Sequence, residues 1–219
     1  MNIQFLEVRR TAKMVTIGNM NGQTKDVWLI IHGYGQLAER FINKFTGLLN
    51  ESSAIVVPEA LQRFYLDGTG GKIGASWMTR EERELDIKDN HFYLDQVFES
   101  IQNKLSESCR IHVLGFSQGT ATACRWLAHC KLKPLSLTLW AGMWPTDVDT
   151  VVLNELLKNT LITMVLGDQD QYANHEMMQK QIDLVHSWGV KAEVLSFNGK
   201  HTIDPIALQD LKKLILSRN

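Results

Sequence analysis

The chain has 219 residues, 44% of them apolar, and its 23 lysines and arginines against 24 aspartates and glutamates leave a net charge of -1. Balanced charge with no basic block argues against nucleic acid as a partner. No uninterrupted apolar run approaches the length of a bilayer-spanning helix, which argues against stable membrane insertion. The length suits one α/β domain over residues 1–219 with a single large core.

The opening Met1-Asn2-Ile3-Gln4-Phe5 alternates and is soon followed by Glu7, Arg9 and Arg10, so it lacks the basic segment and apolar run of a secretory leader. Cys109, Cys124 and Cys130 are odd in number and lack metal-ligand spacing, which points to free thiols in a reducing compartment. A cytoplasmic protein is expected. Neither a metal nor another cofactor is implied, because no His, Cys and acid set has ligand spacing.

Alternating residues at Ile3–Val8 and Lys13–Ile17 predict two half-exposed strands forming an antiparallel edge. Val27–Ile31 is continuously apolar, as expected of a strand covered on both faces. A helix is predicted over Ala38–Leu49 and a buried strand over Ala54–Val57, stopped by Pro58. Glu59 to Glu84, with four glycines, reads as a long irregular loop of the kind that binds or covers something. A long helix follows over Asp86–Leu105, then a strand, Arg110–Leu114, and a helix, Thr120–Cys130. Further strands are expected at Leu135–Ala141, Leu161–Leu166 and Ala192–Phe197, with helices at Val151–Leu157, His175–Trp188 and Ala207–Ile215. This alternation predicts an α/β fold with a mostly parallel sheet, helices on both faces, and ligands at the carboxyl ends of the strands.

Between the strand ending at Leu114 and the next helix stands Gly115-Phe116-Ser117-Gln118-Gly119. Strand, tight turn and helix around a Gly-x-Ser-x-Gly pentapeptide form a nucleophile elbow, which strains the serine backbone and exposes its hydroxyl. A serine needs a base, and histidine titrates near working pH. Of seven histidines, His201 lies in a loop beyond the last predicted strand. His112 lies within a strand, where packing should fix it, and His91, His129, His175 and His186 fall in helical patterns. An acid between Ser117 and His201 in chain order is supplied by Gly167-Asp168-Gln169-Asp170. Asp170 is preferred, because an aspartate directly after Gly167 can instead tie down its own turn. Two N–H groups should receive the oxyanion: that of Gln118, and that of Tyr34 in His32-Gly33-Tyr34-Gly35, although a plain glycine turn with a packed His32 would read the same.

These motifs, in this order and joined by Ala75-Ser76-Trp77 and Trp140-Ala141-Gly142-Met143-Trp144-Pro145, resemble the phospholipase/carboxylesterase family of α/β-hydrolases from about Val27 to the C-terminus. That family includes bacterial carboxylesterases and acyl-protein thioesterases. The resemblance implies an α/β-hydrolase fold, a catalytic Ser117, Asp170 and His201, and Tyr34 and Gln118 as oxyanion donors. It also implies a substrate pocket around Trp77, Met78, Met143 and Trp144, with Phe64, Tyr65 and Leu66 nearby, unless these residues are core beneath a loop. The chain departs from the family at Gln36, where an acid is usual, and at Gln171, where proline is usual. Thr120 replaces a glycine often found after the elbow, and Met78-Thr79 stand near a usual aspartate. The expected activity is hydrolysis of a small-molecule ester or thioester. The alternatives are a binding protein on the same fold and an acyltransferase using the same residues.

Overall fold

A computed structural model describes residues 1–130, 132–148, 157–172, 175–187, 189 and 191–218. Nine strands are described: β1 Met14–Gly18, β2 Asp26–Ile31, β3 Ser53–Pro58, β4 Gln62–Tyr65, β5 Ile73–Ser76, β6 Arg110–Phe116, β7 Ser136–Trp140, β8 Leu161–Gly167 and β9 Ala192–Phe197. Seven of them form one sheet in the order β1-β3-β2-β6-β7-β8-β9. Only β1 runs antiparallel, pairing Met14 with Pro58 and Gly18 with Ala54; every other neighbouring pair is parallel. The carboxyl ends of β2, β6, β8 and β9 therefore open on one edge of the sheet.

The continuous apolar strands divide their side chains between two layers. Val27, Leu29, Ile31, Val113, Leu139 and Met164 face a core shared with Tyr93, Leu94, Val97 and Ile101 of α2 (Arg83–Gln102) and with Ala123, Trp126 and Leu127 of α3 (Gln118–His129). The same layer holds Met178 and Val185 of α4, His175–Ser187. Trp28, Ile30, Leu114, Phe116 and Val165 face the opposite layer, built on α1 (Ala38–Phe41), the 3-10 stretch Ile42–Leu48 and α5 (Pro205–Leu216). Asp204 caps α5, its Oδ1 accepting the N–H groups of Ile206 and Ala207 at 2.9 Å, and Pro205 occupies the first helical position.

Four expectations are corrected. Ile3–Val8 forms no strand: Ile3, Phe5, Leu6 and Val8 are exposed, and the antiparallel edge is made by β1 against β3. Alternation alone provides no partner for a strand's hydrogen bonds. Glu59–Glu84 is not wholly irregular, because β4 and β5 pair as an antiparallel hairpin within it. The helix expected over Ala38–Leu49 is α-helical for one turn and then tightens to 3-10 geometry. The long helix begins at Arg83 and ends at Gln102. The helix expected at Val151–Leu157 lies, apart from Leu157, outside the described residues.

At the amino ends of the strands, far from the convergent carboxyl ends, Asp26, Arg110, His112 and Ser136 form a network. Arg110 grips Asp26 with two bonds of 2.7 Å, and His112 lies 3.0 Å from Asp26 through Nε2 and 2.9 Å from Ser136 Oγ through Nδ1. Trp28 stacks on the imidazole at 4.3 Å. Burial alone would raise the Asp26 carboxyl's pKa, but the hydrogen bonds from His112 and Arg110 outweigh it and hold it below the usual carboxylate value. Removing the carboxylate strands an imidazole and part of a guanidinium in the core, so Asp26→Ala should destabilise the fold by about 3–5 kcal/mol. Urea denaturation measures this, and a loss below about 1 kcal/mol would show that the network contributes little.

Candidate active site

Ser117 sits between β6 and α3 at φ 54°, ψ -119°, a conformation rarely adopted by a residue with a side chain. The two glycines flanking it are required by close approach. A Cβ at Gly115 would lie 2.5 Å from Thr120 Cα, and one at Gly119 would lie 2.2 Å from the Ile31 carbonyl oxygen. The first turn of α3 thus rests directly on the carboxyl end of β2, which carries the loop His32–Gln36 up beside the serine. A Cβ at Gly33 would stand 3.1 Å from Ser117 Cβ.

Asp170 and His201 meet beyond β8 and β9. His201 Nδ1–H donates to Asp170 Oδ2 at 2.8 Å, which directs the Nε2 lone pair away from the carboxylate. The other carboxylate oxygen of Asp170, a buried side chain, accepts the Tyr172 N–H at 2.8 Å. Asp168 does different work: its Oδ1 accepts the Gly199 N–H at 2.9 Å and ties the loop after β8 to the loop after β9. That second loop then crosses back over the sheet. Trp140, at the end of β7, donates its indole N–H to the Thr202 carbonyl and accepts the Ser117 N–H at its own carbonyl, both at 2.9 Å. The His201 ring consequently lies 4.9 Å from the ring of Phe116, the residue before Ser117, and 4.9 Å from the ring of Tyr172, which meets it edge-on. Among the described residues the Ser117 hydroxyl makes no hydrogen bond.

The amides of the loop after β2 are almost all engaged. Gly33 N–H donates to Gln36 Oε1 at 2.7 Å and Gly35 N–H donates to the Ala75 carbonyl at 2.8 Å. Tyr34 N–H has no acceptor among the described residues, and Gln118 N–H belongs to the first turn of α3, where helix amides lack an internal partner. His32 anchors the loop from below. Its Nδ1–H donates to the Gly33 carbonyl at 2.7 Å and its Nε2 accepts the Ala60 N–H at 3.0 Å. Burial pushes its pKa down to about 4, so it stays neutral at working pH.

The aromatic residues expected around a pocket divide. Trp77 is a core residue, 1% exposed, whose indole donates to the His32 carbonyl at 2.8 Å and whose ring lies 5.1 Å from the His32 ring. Trp144 is likewise buried in the helix-facing core. Neither presents its ring to solvent as a pocket wall. Met78 and Met143 are partly exposed, as is Phe64, whose ring lies 5.0 Å from that of the exposed Tyr34; Tyr65 and Leu66 are exposed on the same hairpin. The Gln118 side chain holds the Trp77 loop, accepting the Trp77 N–H at 3.0 Å and donating to the Met78 carbonyl at 2.9 Å.

Glu59 was legible only as the start of a loop, yet its buried carboxylate accepts the Ala38 N–H that begins α1 and pairs with Lys13 and Arg63. Asp147 bridges Arg83 and Arg125, joining the entry of α2 to α3. The pairs of Glu59 with Lys13 and of Asp147 with Arg83 are long-range and leave no local pattern in the sequence. None of the cysteines is poised as a nucleophile: burial pushes the Cys130 thiol up to about 11 and raises those of Cys109 and Cys124. Among the described residues no His, Cys, Asp or Glu cluster could hold a metal, and no helix is long and apolar enough to cross a membrane.

The model of the phospholipase/carboxylesterase family matches residues 12–218. The chain belongs to this family. It is an α/β-hydrolase. The fold is similar to that of Zea mays acyl-protein thioesterase 2, with a TM-score of 0.72 at 16% identity over 94% of this chain and 99% of that one. It is also similar to esterase PE8, with a TM-score of 0.70 at 17% identity over 95% and 99%. The Bacillus cereus carboxylesterase gives 0.67 at 14% identity over 95% of each chain. No curated protein sequence matches this one.

Because His32 is depressed when folded and ordinary when unfolded, its burial favours the folded state above about pH 6.5, and that contribution is lost as pH falls towards about 4. Nitrogen-15 spectra of the imidazole should show the neutral Nδ1–H tautomer still dominant at about pH 5. Titration at the ordinary histidine value would mean that the ring is not held as described.

Proposed function

We propose that this family member hydrolyses small-molecule carboxylic esters or thioesters through an acyl-enzyme on Ser117. The observation that carries the proposal is the His201–Asp170 pair, at 2.8 Å, folded back onto Phe116 beside a serine at positive φ. Ser117 Oγ attacks the carbonyl carbon while its proton passes to His201 Nε2. Asp170 holds the other ring nitrogen and stabilises the imidazolium that results. The carbonyl electron pair moves onto oxygen, where the N–H groups of Tyr34 and Gln118 receive it. Collapse restores the carbonyl and expels the alkoxide or thiolate, which takes the proton from His201. Water then attacks the acyl-enzyme, gives its proton to the same nitrogen, and a second collapse frees the carboxylic acid and Ser117.

The partly exposed Met78, Met143 and Phe64 and the exposed Tyr65 and Leu66 support recognition of an apolar acyl or alcohol group, at about 0.8 kcal/mol for each methylene buried. The free cysteines Cys109, Cys124 and Cys130 accord with a reducing, cytoplasmic location.

Ser117→Ala should lower kcat for a short p-nitrophenyl ester by about 10⁴ or more, and a fluorophosphonate should label the native protein but not the variant. Hydrolysis retained in the purified variant would refute the mechanism; native protein that neither turns over nor labels would indicate a binding protein on a hydrolase fold. Asp170→Asn should cost about 10⁴ in kcat, and Asp168→Asn less than about tenfold. The reverse ranking would reassign the acid.

A further inference from the structure

Resting on the serine-hydrolase reading above, we propose that Gln36 is the positioning residue of the oxyanion loop: its side-chain carbonyl engages the Gly33 amide and thereby presents the Tyr34 N–H alone to the substrate. The loop His32–Gln36 has three consecutive amides, those of Gly33, Tyr34 and Gly35, and its Gly33 comes so close to Ser117 that a Cβ there would stand 3.1 Å from Ser117 Cβ. Loop amides that can rotate inward compete for one developing charge, and a donor helps only if it is already aimed when the charge appears. Gln36 removes that freedom in two ways. Its Oε1 accepts the Gly33 N–H at 2.7 Å, and its own N–H donates to the Gly33 carbonyl at 3.3 Å, closing a small ring around Tyr34.

The main chain of Gln36 is itself held. Its carbonyl accepts the Ala75 N–H at 3.2 Å while Gly35 N–H donates to the Ala75 carbonyl at 2.8 Å, a single antiparallel bridge joining the loop to β5. Among the described residues the Gln36 side chain makes no other hydrogen bond, so the Gly33 amide is what its carbonyl is fixed to. A Cβ on Gly33 would fall 3.1 Å from Ser117 Cβ and 3.2 Å from Gln36 Oε1, so the serine and the Gln36 carbonyl both crowd the Gly33 backbone. The acceptor oxygen, rather than the amide NH2, carries this role, and a carboxylate oxygen at the same reach would serve it.

Three variants test the proposal on the full chain: Gln36→Met, similar in length without an acceptor, Gln36→Asn, with the oxygen withdrawn by one methylene, and Gln36→Glu, with an oxygen retained. Gln36→Met and Gln36→Asn should lower kcat by about tenfold or more with KM changed less than about threefold. A trifluoromethyl ketone, which forms an oxyanion-bearing adduct on serine, should bind them more weakly in the same proportion. Gln36→Glu should keep kcat within about threefold of native. Full kcat in both Gln36→Met and Gln36→Asn, a loss confined to KM, or a Gln36→Glu as impaired as the other two would overturn it. Native turnover and fluorophosphonate labelling are read on the same preparation. Their absence would overturn the hydrolase reading and this proposal with it, whereas their presence beside unimpaired variants counts against Gln36 alone.

Discussion

The contact on which the site depends is the close approach of the first turn of α3 to the end of β2. Gly119 sits so near the Ile31 carbonyl that a Cβ there would meet it at 2.2 Å, and Gly115 is equally confined against Thr120. That approach forces the chain to reverse between Phe116 and Gln118, and the reversal leaves Ser117 at a positive φ. It also sets the start of α3 beside the loop that leaves β2. Backbone strain of this kind, on the order of 1–3 kcal/mol, persists because the sheet and the helices on both faces over-determine the turn. Parallel pairing does the remainder, by bringing the ends of β8 and β9, with Asp170 and His201, to the same edge.

Two sets of serine, histidine and aspartate are present, and burial separates them. Ser136, His112 and Asp26 are linked by continuous hydrogen bonds of 2.9 and 3.0 Å, a more complete chain than the one through His201. Yet Ser136 and His112 are 0% exposed, inside strands at the amino edge of the sheet, with Trp28 closing one face of the imidazole. No carbonyl carbon can reach that hydroxyl. Hydrogen-bond order alone would favour Ser136; access and backbone geometry favour Ser117. The buried set instead satisfies polar groups that β2, β6 and β7 would otherwise leave unpaired in the core.

Much of this was legible in the chain. β2 and β3 announce themselves by the continuous apolar runs Val27–Ile31 and Ala54–Val57, because a strand covered on both faces is largely apolar, whereas β6, β7 and β8 carry the buried polar residues His112, Ser136, Thr138 and Thr163 among their apolar ones. The elbow is readable because its glycines answer a local steric demand, and Asp170 faces His201 as preferred but not for the expected reason: Asp168 accepts the N–H of the distant Gly199, while Asp170 accepts the Tyr172 N–H of its own turn. What was not legible depended on partners distant in sequence. Ile3–Val8 has the alternation of a strand and nothing to pair with, while β4 and β5 are short, glycine-bearing segments that become strands only by pairing with each other. Trp77 and Trp144 are loop residues by position and core residues by packing. Glu59 and Asp147 gain their meaning from cations contributed by other segments.

The chemistry would be tested most directly by trapping the covalent intermediate. Native protein mixed with an activated ester whose acyl group leaves slowly, quenched in acid and digested, should yield a single peptide heavier by that acyl group. Fragmentation should place the added mass on Ser117. An acyl group found on Ser136, on a cysteine, or on no residue while the ester is nonetheless turned over would contradict a reaction centred on the strained turn between β6 and α3.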